Sequence, residues 1–153
     1  MSRVMTVSRA RLLVIVPALL ALPVLADLEA IELWSRATVP TASTGVVYGR
    51  LQNTGKEPLV IVGAESPVAK RAQIHRSTSR DGMMGMEHVT RIELAPGEEL
   101  RLEPGGMHIM LMDLKNGLEQ GKTFEIDILT EDETLTAKVA TGTVGQMESP
   151  GNN

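Results

Sequence analysis

Two imidazoles and two thioethers stand at a defined spacing in this chain: His75, ten residues, Met86, twenty-one residues, His108, one residue, Met110. A thioether sulfur is a soft, uncharged donor that favours Cu(I) over zinc or hard cations, and imidazole binds copper in either oxidation state. Two donors of each kind suit one Cu(I) ion per monomer. Within the second pair the spacing has a direct geometric meaning. Alternate side chains of an extended strand share a face, so His108 and Met110 point the same way at a Cα separation of roughly 7 Å, from a rise of ~3.4 Å per residue. Ile109 and Leu111 then take the opposite face, suited to a core, which leaves the ligand face at a rim or in solvent. His75 and Met86 must be supplied by other elements.

The four-residue pattern resembles the motif of the periplasmic PCu(A)C copper chaperones, H-x10-M-x21-H-x-M, without a spacing error. The neighbouring text resembles that family too: Asp81-Gly82-Met83-Met84-Gly85-Met86, then Pro104-Gly105-Gly106-Met107-His108-Ile109-Met110-Leu111-Met112, and Leu114-Lys115. The likeness runs over about residues 29–141. Four fixed positions spread over 36 residues make a more specific signal than a single short consensus. The resemblance implies a cupredoxin-like barrel, a Cu(I) site built from His75, Met86, His108 and Met110, and an acceptor in the copper centre of a respiratory cytochrome c oxidase subunit or in a thiol-bearing assembly factor.

The elements that must position these donors read as strands. The run Leu51-Gln52-Asn53-Thr54-Gly55-Lys56-Glu57-Pro58 is a turn between a strand over residues 45–52 and the apolar run Leu59-Val60-Ile61-Val62. Pro96-Gly97 and Pro104-Gly105-Gly106 bracket a short strand around Leu100 and Leu102. Phe124, Ile126 and Ile128 alternate with acidic residues, Leu135, Ala137 and Val139 alternate with polar ones, and the two segments form a hairpin around Glu131-Asp132. No stretch after the first 26 residues sustains a helical period. An all-β, antiparallel Greek-key sandwich or barrel of immunoglobulin-like character is expected.

Residues 1–26 read as a cleaved export signal, with Arg3, Arg9 and Arg11 ahead of the apolar Leu12–Leu22 and small residues at Val24-Leu25-Ala26. The apolar stretch is shorter than the ~20 residues of a spanning helix, so no stable membrane insertion is expected after cleavage, and the location expected is the periplasm. Three of the 15 basic residues and none of the 19 acidic ones lie in that segment, which leaves 12 against 19, a charge of −7. Such a charge disfavours nucleic acid as a partner. Residues 27–141 make one copper-binding β domain, expected to be a monomer, and 142–153 read as a disordered polar tail.

The chain has no cysteine. That removes a disulfide framework, the His2Cys centre of blue-copper electron carriers, thiol-based copper transfer and lipid attachment to a cysteine after the leader. It also removes a Cys-His nucleophile, and no serine stands in a nucleophile-elbow context. Cleavage after Ala26 would expose Asp27, so an N-terminal histidine brace is absent. A carrier fits better than an enzyme. The alternatives are a copper buffer for tolerance and a metal-free β-sandwich interaction module whose methionines only pack.

Six of the seven methionines after residue 26 fall between residues 83 and 112. Met83, Met84, Met107 and Met112 lie outside the pattern and read as packing residues or as a soft rim that docks a partner. His88, two residues after Met86, reads as a surface histidine, with an additional or alternative ligand as the lesser reading.

Overall fold

The computed structural model describes residues 27–149, and the leader expected over 1–26 lies outside them. The described chain forms ten strands: β1 Leu28–Arg36, β2 Thr44–Asn53, β3 Leu59–Glu65, β4 Ala69–Arg80, β5 Met83–His88, β6 Ile92–Leu94, β7 Glu99–Leu102, β8 Met107–Leu114, β9 Thr123–Thr130 and β10 Thr134–Gly142. They pair in the order β5-β4-β8-β7-β2-β1-β10-β9-β3-β6. Additional β8–β2 and β4–β3 pairings close the sheet on itself. Closure removes most free edges, leaving β5 outside β4 and β6 outside β3.

The strands follow the alternation expected of half-buried segments. Ile126 and Ile128 of β9, Val139 of β10, Leu51 and Val47 of β2, Ile74 of β4, and Ile109 and Leu111 of β8 meet in one apolar interior. The turn over residues 51–58 is held by Asn53, whose buried amide nitrogen donates to the carbonyls of Glu57 and Leu94 at 2.8 and 2.9 Å. The β9–β10 hairpin turns at Glu131-Asp132 as expected, with the Thr130 hydroxyl accepting from the Asp132 and Glu133 N–H groups.

The expected barrel is present, with one refinement to its strand directions. Two of the pairings, β1 with β10 and β7 with β8, are parallel. The first inserts the N-terminal strand between β2 and the C-terminal strand, and the local alternation of hydrophobic residues carries no information on that direction. Gly142, where the polar tail was expected to begin, is the last residue of β10 and accepts through its carbonyl from the Ala37 N–H at 3.2 Å.

Candidate metal centre

The four candidate ligands sit on three neighbouring strands, β5, β4 and β8, on the face opposite the core. In β4 the pattern of burial alternates, with Ile74 buried beneath and Gln73, His75 and Ser77 partly exposed above. In β8, Ile109 and Leu111 are wholly buried while Met110 and Met112 lie partly exposed on the other face. The alternation assigned to Ile109 and Leu111 therefore holds.

His75 and His108 are directly opposite one another in the β4–β8 ladder, and the ring centres lie 6.0 Å apart, nearly edge to face. Met110 is opposite Gln73, two residues along β8 from His108. Met86 is opposite Ser77, two residues along β4 in the other direction. Directly opposite residues of an antiparallel pair share a face, so all four donors lie on one surface. The histidine pair occupies its centre and the two methionines flank it at opposite corners.

Each central ring is held in a defined way. His108 Nδ1 lies 3.2 Å from the Gly106 carbonyl oxygen. A carbonyl only accepts, so Nδ1 carries the proton and Nε2 keeps its lone pair for a metal. The same carbonyl also accepts from the Ser77 N–H at 3.1 Å, which ties β4 to the turn before β8. His75 Nε2 lies 3.2 Å from Gln73 Oε1, which leaves Nδ1 as the unprotonated nitrogen. That atom is buried and has no hydrogen-bond partner among the described residues. A buried nitrogen lone pair with nothing to accept from is costly, and a cation is the partner that would satisfy it. Burial, with smaller effects from His108 and His88, holds the His75 pKa below the ordinary histidine value of 6.5. The ring is thus kept in the neutral form that binds metals.

Exposure divides the set unequally. His108 is only 5% exposed although its face was expected at a rim or in solvent. Its strand is central, paired with β4 on one side and with β2 and β7 on the other, and the His75 ring stands beside it. Met86 is 63% exposed, as are Met83 and Met84 to a still greater degree.

The β4–β5 hairpin was not anticipated as a unit, although its signal was present. Asp81 and Gly82 both have positive φ, 53° and 76°, the requirement of a type I′ hairpin turn that Asp-Gly satisfies best. This turn sets the β5 register and places His88 directly opposite His75, with ring centres 5.6 Å apart. All three histidines of the chain therefore form one row across β5, β4 and β8. Met112 shares the β8 face opposite Arg71, and Met107 packs against the core cluster.

Residues 28–141 match the family model described as "Putative lipoprotein LpqE-like". A protein of Leifsonia xyli subsp. xyli named "Putative lipoprotein Lxx21020" is 35% identical over 101 residues. That match spans 64% of this chain and 61% of the relative's length. Among solved structures, the apo form of DR1885 from Deinococcus radiodurans superposes with a TM-score of 0.61 at 26% identity, covering 95% of this chain and all of that one. DR1885 has also been solved with Cu(I), and that form superposes with a TM-score of 0.58, covering 86% of this chain and 87% of that one. A copper-bound PCuAC domain from PmoF2 shares the fold at a TM-score of 0.64 and 20% identity, covering 77% of this chain and 94% of that domain. The barrel, the family match over residues 28–141 and these neighbours agree, and the chain belongs to the LpqE-like family of PCuAC domains.

Proposed function

We propose that this protein is a periplasmic copper chaperone that carries one Cu(I) on His75, Met86, His108 and Met110 and passes it to an acceptor by ligand exchange. The observation that carries this reading is the buried, unpartnered His75 Nδ1 beside His108, whose Nδ1 is tied to a carbonyl so that Nε2 is free, on a face that also holds both methionines. Solved neighbours that hold copper or Cu(I) support copper as the cargo, and the lipoprotein names of the matching family and of the Leifsonia relative support export.

The division between buried and exposed donors fits transfer. His75 and His108 remain with the barrel, while Met86 on the exposed edge strand is the ligand an incoming donor can displace first. An acceptor's ligands then enter before the two imidazoles let go, so the ion is never free. A site that fills with four protein ligands leaves no open position for a substrate, which supports a carrier over a catalyst.

The acceptor we favour is the copper centre of a cytochrome c oxidase subunit, or a thiol-bearing assembly factor upstream of it. Deletion of the gene tests this. Loss of a chaperone lowers oxidase activity at limiting copper and is rescued by added copper. Normal oxidase activity together with raised sensitivity to excess copper would replace it by a buffering role.

A further inference from the structure

Thioethers are poor ligands for Cu(II), which prefers nitrogen donors, and the row of histidines offers a second way to hold the cargo. We propose that His88, His75 and His108 form a Cu(II) site that shares two imidazoles with the Cu(I) site and replaces both thioethers with His88. The proposal rests on the reading of this face as a copper site, but it does not use Met86 or Met110.

The register carries it. His88 is directly opposite His75 on one side, and His108 is directly opposite His75 on the other. The ring centres lie 5.6 and 6.0 Å from that of His75. A metal bonded to two imidazole nitrogens at ~2.0–2.1 Å holds the ring centres between about 4.5 Å, for ligands at right angles, and about 6.4 Å, for ligands on opposite sides. Both neighbours are therefore already at the spacing of co-ligands of His75. Each methionine is two residues off this row, in opposite directions.

Among the described residues no three histidine or acidic groups yet surround one point, so one ring must turn inward. His88 is the ring able to do so. It is exposed on the edge strand of the sheet, and among the described residues no side-chain hydrogen bond fixes it, whereas Gly106 holds His108 and Gln73 holds His75. The unpartnered Nδ1 of His75 is the common anchor of both sites. A protein built this way accepts copper in either oxidation state without releasing its two inner ligands.

The test compares the intact protein with His88→Ala and with the Met86→Ala/Met110→Ala pair. Each is titrated with Cu(II) against a chelator and examined by electron paramagnetic resonance. Anaerobic Cu(I) competition is run in parallel, and thermal melting of the apo proteins checks folding. We expect His88→Ala to weaken Cu(II) by roughly tenfold or more and to remove one nitrogen coupling, with Cu(I) affinity within about twofold of the parent. The methionine pair should show the reverse, keeping Cu(II) and losing Cu(I). A Cu(II) affinity and spectrum unchanged in His88→Ala would overturn the proposal, as would an equal loss of Cu(I) in that variant. Failure of the parent to compete for Cu(I) would instead overturn the chaperone reading while leaving the Cu(II) result to stand by itself.

Discussion

Strand β8 carries His108 and Met110 of the candidate site and strand β5 carries Met86, with His88 beside it, yet the two strands differ in pairing, burial and how their side chains are held. β8 is paired on both sides, its alternate residues Ile109 and Leu111 are wholly buried, and its histidine is fixed by a carbonyl. Among the described residues β5 pairs only with β4, and all six of its residues are exposed. Position in the sheet decides this difference. A central strand must bury one face and thereby gains rigidity, whereas an edge strand hung outside a closed barrel has no core to meet. A carrier needs both halves, a firm one that retains the ion and a yielding one that lets a partner in.

The largest effect should come from the hidden face of β8. Ile109→Ala removes a fully buried side chain and should cost about 2–5 kcal/mol of folding stability, read from urea unfolding. Met84→Ala, at a site 73% exposed on β5, should stay within ~0.5 kcal/mol. Equal losses in the two variants would break the contrast between the strands.

Ligand truncation sharpens it. His108→Ala removes the most buried donor and should weaken Cu(I) by roughly a hundredfold, ~2.7 kcal/mol. Met86→Ala should weaken Cu(I) by roughly tenfold, ~1.4 kcal/mol, speed release to a competing chelator, and leave the apo melting temperature nearly unmoved. If Met86→Ala lowered apo stability as much as it lowered affinity, β5 would be a packing element and the division of labour would fail.

A smaller effect follows from His75. Its folded pKa lies below the ordinary value of 6.5, chiefly through burial and then through His108 and His88. The folded state therefore binds fewer protons than the unfolded state just below pH 6.5. The stabilising contribution is present above that pH and is lost as pH falls toward the folded pKa. The urea midpoint of the apo protein should decline on going from pH 7 to pH 5, and His75→Gln should shrink that decline. An identical decline in the variant would place the pH dependence elsewhere.

Much of the barrel is legible in the sequence because half-buried strands write their faces into the chain. The alternation over 124–128 and 135–139 and the inward pointing of Ile109 and Leu111 follow from period-two burial, and the turn over 51–58 follows from its Asn53, Gly55 and Pro58. The parallel insertion of β1 beside β10 is not legible, since the same alternation serves either direction. At the site, His108 and Met110 could be placed on one face from spacing alone. The pairing of His75 with His108 needed the tertiary register, because 33 positions separate them in the sequence. The Asp81-Gly82 turn could have revealed the β4–β5 hairpin. Counting back from it aligns Ser77 with Met86 and His75 with His88, the contact that reading His88 as a surface residue leaves out.

The proposed site holds a single Cu(I) on His75 and Met110 together with Met86 and His108. An anaerobic titration of the protein with Cu(I) against a chromogenic chelator, beside the His75→Ala/Met110→Ala variant, tests it most directly. One tight equivalent is expected in the parent and none in the variant, with the variant's apo fold intact by its melting curve. A parent that fails to compete with the chelator, or a variant that competes equally well, would contradict it.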